Sequence, residues 1–176
     1  MKKKLLLHVC CGPCGTHSIE EMKKEYDVTA FWYNPNIHPM GEYVQRLEAG
    51  KKVGEELDIE LVEGDYDYDG WLREIAGFEE EPEGGVRCRK CFSIRLSELA
   101  RYAKENGFDC VTTTMTISPH KDADVINKLG KHFCEKEGIE WVHSNFKVGD
   151  GFKKSVDMSK KMGLYRQKFC GCFYSR

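Results

Sequence analysis

Long apolar stretches are absent from this sequence, in which no run is long enough to cross a bilayer. At the N-terminus three lysines precede only three leucines before His8, too few for the apolar core of a secretory signal. Internal repeats and low-complexity tracts are lacking as well. These absences exclude a membrane protein, an exported protein and a repeat array, and they predict a cytoplasmic chain.

The composition is that of a globular chain of modest size. Its 176 residues are 40% hydrophobic and 11% aromatic, enough to bury one substantial core. We therefore expect a single α/β domain over residues 1–176, with a basic, cysteine-containing tail from about residue 147. Residues 147–176 contain eight Lys/Arg and two Asp/Glu, a net charge of +6 that leaves −8 for the remainder. Such a tail suits a phosphate-rich partner, although an ordinary solvated face has the same composition.

Strand and helix patterns alternate along the chain. Each run of strand length except the last is followed by a stretch with apolar residues at helical spacing. Such alternation predicts an α/β fold with a mostly parallel sheet and helices on both faces. Ligands of such sheets bind at the carboxyl ends of the strands, where the Cys10-Cys11 loop lies. The predicted strands are Lys4–Val9, Val28–Tyr33, Ile59–Val62, Cys110–Met115 and Glu140–His143.

Two predicted helices begin close to cysteine motifs. Ser18 and Glu21 match a capping box for the first helix, whose apolar side extends to Tyr26, whereas Pro13 allows a start one turn earlier. Another strong helix pattern runs from about Cys91 to Asn106. Both cysteine motifs therefore lie where helices begin.

Nine cysteines stand out in a chain that is expected to stay in a reducing compartment. In that setting clustered thiols are more often metal ligands or catalytic groups than disulfides. Cys110 opens an apolar strand and Cys134 lies in a helix pattern, so core packing explains both. Cys14 stays open between packing and binding.

Two cysteine pairs have surroundings that favour thiolates. Cys10 and Cys11 lie in a strand-to-helix turn, where backbone amides can donate to sulfur. Cys88 and Cys91 lie just before or within the first turn of a helix and are flanked by basic residues. The four together could hold an iron–sulfur cluster. A zinc ribbon is the rival, but it uses two Cys-x-x-Cys units, and the first pair here is adjacent.

Cys170 and Cys172 are one residue apart in the basic, aromatic tail. Such a pair either adds metal ligands or cycles between dithiol and disulfide. Incidental cysteines in a flexible tail are the alternative, which the neighbouring aromatic residues disfavour.

Four sequence segments, taken in order, carry a family resemblance. They are Leu5–Cys14 with its Cys-Cys-Gly-Pro-Cys, Arg87–Phe92 with its Cys-x-x-Cys, Thr113–Lys121, and Tyr165–Cys172 with its Cys-Gly-Cys. The set resembles the QueH-type epoxyqueuosine reductases over nearly the whole chain, and the ordered set is far more specific than any single motif.

The resemblance implies a fold and a reaction. The fold is similar to the nucleotide-binding α/β sandwich of tRNA-modifying ATP pyrophosphatases, the adenine nucleotide alpha-hydrolase-like fold. The implied reaction reduces the epoxide of epoxyqueuosine to the cyclopentene of queuosine at the tRNA wobble position, the last step of queuosine biosynthesis. The implied partners are the anticodon region of tRNA and an external electron donor.

The resemblance also implies roles for the cysteines. It makes Cys170 and Cys172 a redox-active pair that can close as a disulfide. Cys14 could bind an additional iron, or it could be a packed thiol. The implied ligands of a [4Fe–4S] cluster are Cys10, Cys11, Cys88 and Cys91.

Removing the epoxide oxygen takes two electrons and two protons, so an acid is required. Asp65 and His120 are candidates, together with Asp67 and His8. The competing interpretation makes the aspartates solvated loop residues and the histidines hydrogen-bonded core residues.

Two other functions remain open from the residues alone. An ATP-dependent tRNA-modifying enzyme on the same fold would need a phosphate loop of glycine and serine after the first strand, where this chain has cysteines; Ser118 and Lys121 could still bind a phosphate. A non-catalytic, metal-stabilised RNA-binding module would use the aromatic and basic residues of the tail to stack bases and contact phosphates.

Overall fold

The computed structural model describes residues 1–175 and contains one parallel sheet with helices on both faces. The strand order is β3-β2-β1-β4-β5, which confirms the predicted α/β class. No helix in this part of the chain has the length and apolar character needed to cross a bilayer. The strands are β1 Lys3–His8, β2 Tyr26–Trp32, β3 Leu61–Glu63, β4 Cys110–Thr113 and β5 Glu140–Trp141. The helices are α1 Gly12–Lys23, α2 Met40–Glu56, α3 Tyr68–Ile75, α4 Val86–Glu105, α5 Ala123–Glu137 and α6 Gly151–Lys161.

Strand β1 lies at the centre of the sheet and is buried on both faces. Leu5 and Leu7 pack into the core beneath α1 and α2, whereas Leu6 packs into the core beneath α4 and α5. This explains why the strand reads as a continuous apolar run instead of an alternating one. From β1 the chain continues to β2 and β3 on one side of the sheet and then to β4 and β5 on the other side. This reversal of the strand order opens a crevice at the carboxyl end of β1.

Helix α1 begins earlier than the capping-box pattern predicts. Cys11 is its N-cap and Pro13 lies in its first turn, while the Ser18 hydroxyl donates to the carbonyl of Cys14 within the helix at 3.0 Å. The capping box is therefore wrong. The early start depends on Gly12, where an added Cβ would lie 2.8 Å from Ala49 of α2, so only glycine lets the two helices approach there.

Helix α4 also begins earlier than predicted, at Val86, so Cys88 and Cys91 both lie in its first two turns. Arg87 is 2% exposed, and its guanidinium donates to the carbonyl of Glu79 at 2.8 Å and to that of Glu81. These bonds fold the preceding acidic loop back onto the start of the helix.

The basic segment after residue 147 contains helix α6, which packs against α1. Its buried face is formed by Gly151, Ser155 and Ser159, and an added Cβ at Gly151 would lie 1.6 Å from the carbonyl oxygen of Phe146. Small residues therefore bring α6 close to its neighbours. The buried face consists of glycine and serine instead of large apolar residues, and the sequence analysis did not predict this helix.

Candidate cysteine-rich active site

Three cysteines cluster in the crevice after β1. The sulfur atoms of Cys10, Cys11 and Cys14 all lie within 4.8 Å of one another; in residues 1–175 no other set of three His, Cys, Asp or Glu side chains is so close. The thiol of Cys11 caps α1 by accepting from the backbone N–H of Cys14 at 3.3 Å. The sulfur of Cys10 lies 3.4 Å from the hydroxyl of Thr114, just beyond β4. Two neighbouring strand ends therefore build this cluster.

The three clustered thiols do not ionise alike. Donation from the thiols of Cys11 and Cys14 holds the pKa of Cys10 well below its usual value, and the charge of Lys121 and the hydroxyl of Thr114 add to this effect. Burial raises the pKa of Cys11 to about 12, and donation to the Cys10 sulfur raises that of Cys14. Cys10 is therefore the first of the three thiols to lose its proton. Its thiolate is the form that binds a metal.

A second group of thiols lies where α4 meets the C-terminal segment. Cys91 and Cys172 are buried and pack against Trp71 and Ile75 of α3, and the sulfur of Cys88 accepts from the N–H of Gly84 at 3.2 Å. All nine cysteines are free thiols. The disulfide that the family resemblance implies for Cys170 and Cys172 is not formed in this structure.

Three cavities that share lining residues connect the two thiol groups. Their volumes are about 300, 140 and 20 Å³. Cys170 borders all three. Of the other cysteines, Cys10 and Cys14 border the largest cavity, Cys88 the two smaller ones, and Cys91 and Cys172 the smallest. Three of the four predicted cluster ligands and both members of the predicted redox pair therefore border these cavities, whereas Cys11 borders none of them.

Two basic side chains lie between the thiol groups. Arg95 is 2% exposed, and its Nε and Nη2 have no hydrogen-bond partner among the described residues. Burial opposes its charge, yet the thiols of Cys91, Cys170 and Cys10 raise the pKa of the guanidinium. Burial likewise opposes the charge of Lys121, whose pKa is nevertheless raised by Cys170 and Cys10. Both side chains are suited to compensating negative charge in the cavities.

The C-terminal segment is fixed to α2 by a buried arginine. Arg46 is 2% exposed and donates to the carbonyl of Cys170 at 2.8 Å and to that of Phe169 at 3.0 Å. Gly171 has a φ of +111°, and an added Cβ there would lie 2.8 Å from Nη1 of Arg46. We call Arg46 with these two carbonyls the tail clamp. It determines where the thiols of Cys170 and Cys172 lie.

The four candidate proton donors differ in whether they border the cavities. His120 borders the two larger cavities, whereas Asp65 and Asp67 are exposed and border none of the three. His8 is fully buried, 2.9 Å from the Thr113 hydroxyl and 3.0 Å from a backbone carbonyl. Burial lowers the pKa of His8 to about 4, so it is a neutral, hydrogen-bonded core residue. Only His120 reaches the site.

A lysine from the basic segment positions the loop that carries His120. The ammonium of Lys147 donates to the carbonyl of Ser118 at 3.0 Å and to that of Lys121 at 2.7 Å. These bonds hold the turn over the two larger cavities. Ser118 and Lys121, considered above as phosphate ligands, both border the largest cavity.

Sequence reasoning missed Arg46, Arg95 and Lys147. The first two could have been noticed, because Arg46 follows Tyr43 by three positions and Arg95 follows Cys91 by four, on the buried sides of their helices. A charged residue in a buried stripe indicates a specific partner. Nothing in the sequence marks Lys147, since its partners are carbonyls of a distant turn.

A family model described as Epoxyqueuosine reductase QueH matches residues 5–176. The chain belongs to this QueH family. It is 40% identical to the epoxyqueuosine reductase QueH of Histophilus somni over 98% of this chain and 72% of that protein. It is 38% identical to the Streptococcus pyogenes protein over 99% and 71%, and 34% identical to the Thermotoga maritima protein over 97% and 89%. The family resemblance seen in the sequence is thereby confirmed.

Two solved structures share the fold of this chain. The U34-tRNA thiolase NcsA from Methanococcus maripaludis, with its [4Fe–4S] cluster, matches with a TM-score of 0.63 and 16% identity, over 99% of this chain and 62% of that one. A predicted tRNA methyltransferase subunit from Methanocaldococcus jannaschii matches with a TM-score of 0.61 and 10% identity, over 90% and 74%. These matches confirm that QueH shares the fold of ATP pyrophosphatase-like proteins.

Proposed function

We propose that this chain reduces epoxyqueuosine in tRNA to queuosine and uses an iron–sulfur cofactor to do so. The observation that carries the proposal is the convergence of six cysteines on one set of connected cavities, with a seventh, Cys11, beside Cys10 and Cys14, in a chain whose relatives are named epoxyqueuosine reductases. Neither an RNA-binding module nor an ATP-dependent enzyme requires so many thiols around a cavity.

The reaction removes one oxygen atom. Both C–O bonds of the epoxide break, a C=C bond forms between the two carbons, and the oxygen leaves as water after it gains two protons. The substrate gains two electrons, which an external reductant must supply. The site therefore has to deliver electrons and protons to the same oxygen.

The thiols fit an iron–sulfur cluster. Clustered thiolates are the donors that such clusters use, and the pKa of Cys10 already favours its thiolate. The proposed ligands of a [4Fe–4S] cluster are Cys10, Cys11, Cys88 and Cys91, with Cys14 left for a second iron. When bound, the cluster supplies electrons one at a time.

The redox pair can supply the number of electrons and protons that the reaction needs. When Cys170 and Cys172 close as a disulfide, two S–H bonds break, one S–S bond forms, and two electrons and two protons are released. That is what the epoxide consumes. Because Cys170 borders every cavity of the site, it is the member of the pair that meets the substrate.

The other side chains of the cavity stabilise negative charge and donate a proton. Arg95 and Lys121 stabilise negative charge that develops on the epoxide oxygen as its C–O bonds break. His120, at the mouth of the two larger cavities, donates a proton to that oxygen. In this proposal Asp65 has no role, because it lies outside the cavities.

The decisive experiment is anaerobic reconstitution of the protein with iron and sulfide, followed by incubation with dithionite and tRNA that carries epoxyqueuosine. Mass spectrometry should show the loss of one oxygen from the nucleoside. Cys88→Ala should abolish it, whereas Cys134→Ala, which changes a core thiol away from the cavities, should not.

Two other results would overturn parts of the proposal. A colourless, zinc-containing protein would exclude the cluster. An unchanged epoxide despite a full, brown cluster would leave the cofactor in place but exclude the reaction, and the RNA-binding module would then be the better explanation.

A further inference from the structure

The largest cavity is lined by more than thiols and cations. Its volume of about 300 Å³ reaches the lower end of the range for small-molecule sites. Cys10 and Cys14 border it on one side, while Phe152, Gln167 and Phe169 border it elsewhere. Two aromatic rings among mostly polar and charged side chains suit a flat, polar ligand.

Gln167 has an unused hydrogen-bonding group in this lining. Its amide oxygen is buried and has no hydrogen-bond partner within residues 1–175. A buried acceptor without a partner is destabilising, so in a cavity it indicates where a donor from a ligand belongs. The position of Gln167 is fixed, because the tail clamp holds the backbone two and three residues further on.

Phe152 adds a second feature at the same cavity. It lies in the first turn of α6 and is 42% exposed, although it is a large apolar residue. Exposed aromatic rings beside basic residues are a usual platform for stacking unpaired RNA bases. Lys153 and Lys154 follow it on the same helix, which suits the phosphates on either side of such a base.

We propose that this cavity binds the base of the substrate nucleoside and that Gln167 determines its identity. The amide oxygen of Gln167 accepts the N1–H that a guanine-type base carries and an adenine-type base lacks. Phe152 stacks on a base at the mouth of the cavity. This inference rests on the proposed function, since it names the part of the tRNA that enters the site, with the reacting ring directed towards Cys10 and Cys14.

The test measures binding to anticodon stem-loop RNAs that differ only at the wobble position, which is guanine in one and adenine in the other. The wild-type holoprotein should prefer guanine, and Gln167→Met should reduce that preference about tenfold, the usual effect of one base contact. Gln167→Glu, which keeps an acceptor, should retain it. Gln45→Met is the matched control, because Gln45 is an exposed glutamine on α2.

Phe152→Ala gives an independent readout. Loss of stacking should weaken binding of both RNAs about tenfold and leave their ratio unchanged. Equal binding of the two RNAs by the wild type, or an unchanged ratio in Gln167→Met, would overturn the inference.

The proposed function is tested separately by the wild type acting on tRNA with epoxyqueuosine. Reduction there together with an unchanged base preference in Gln167→Met would contradict the base-recognition role alone. An intact epoxide would contradict the reaction itself.

Discussion

Arg95 shows how a single residue reports on what its cavity holds. A guanidinium that is 2% exposed and has two nitrogen atoms without a hydrogen-bond partner in residues 1–175 is destabilising unless negative charge lies beside it. The thiols of Cys10, Cys91 and Cys170 supply that charge once they are deprotonated. The cost of burying Arg95 is therefore offset only in the metal-loaded or thiolate state.

We expect Arg95→Met to make the cluster harder to reduce. A positive charge nearby stabilises the more negative, reduced state, so its removal should lower the midpoint potential on the order of 50–100 mV, about 1–2 kcal/mol. A redox titration followed by electron paramagnetic resonance measures this. Arg101→Met is the control, because Arg101 is a half-exposed residue of the same helix. An unchanged potential in Arg95→Met would mean that the guanidinium does not face the cluster.

The role of Cys14 can be tested by measuring the iron and sulfide content of the protein. We expect Cys14→Ser to lower the iron content while acid-labile sulfide stays at the wild-type level, because Cys14 is proposed to hold an iron outside the cluster. Chemical assays for iron and sulfide measure both. Cys134→Ser, a substitution of a buried thiol away from the cavities, should change neither. A joint loss of iron and sulfide would make Cys14 a ligand of the cluster itself.

The sequence identifies the residues of this site more reliably than it shows which of them lie close together. Cys10, Cys11, Cys88 and Cys91 can be identified by local spacing and neighbours. The closeness of Cys14 to the first pair depends on the early start of α1, which Pro13 allows but which the sequence alone does not decide against the competing capping box. A side chain whose partners are carbonyls of a distant turn, such as Lys147, has no local signature at all.

At the scale of elements, α2 and the C-terminal segment form one unit through the tail clamp. Arg46 also pairs with Glu42 at 2.6 Å, and the other carboxylate oxygen of Glu42 accepts from the Tyr165 hydroxyl at 2.8 Å. One turn of α2 therefore holds the segment at two points. This arrangement explains why Cys172 is only 7% exposed so close to the end of the chain.

Arg46→Met should release this segment. Loss of hydrogen bonds to a charged group costs about 1.5–3 kcal/mol, so alkylation of Cys172 should become faster by at least about tenfold. Mass spectrometry of the labelled, metal-free protein measures the rate, and Arg46→Lys should lie between the two. Arg73→Met, at an exposed position of α3, is the control. If Cys172 in Arg46→Met reacts at the wild-type rate, contacts with α3 hold the segment instead.

Elements with apolar patterns were predicted and elements without them were not. The runs of β1 and β4 are apolar or β-branched because both faces of these strands are buried, so the pattern is strong. Helix α6 buries glycine and serine, which hydrophobic periodicity does not detect. The fold class could therefore be predicted from the strands, while the helix that carries Phe152 could not.

At the scale of the whole molecule, the charge is divided along the chain, with +6 in residues 147–176 and −8 elsewhere. The positive part forms α6 and the segment after it, beside the largest cavity. The charge distribution therefore favours one orientation of a bound tRNA.

A matched pair of lysines tests this orientation. Lys153 on α6 and Lys131 on α5 are both highly exposed and both lie near an acidic residue four positions later, at 3.7 and 3.8 Å. Lys153→Gln should weaken tRNA binding and reduce the slope of log affinity against log salt by roughly 0.7–0.9, the value for one phosphate contact. Lys131→Gln should leave the slope unchanged. Equal effects of the two substitutions would contradict the proposed RNA face.

The position of Cys170 has a consequence for how the enzyme matures. Cys10, Cys11 and Cys14 leave the ribosome early in synthesis, whereas Cys170 and the clamp that holds it emerge only after α6. Until then, an iron centre on the nascent chain would be exposed to oxygen. Cofactor insertion is therefore expected to follow synthesis of the segment that carries Cys170, whose docking covers the centre.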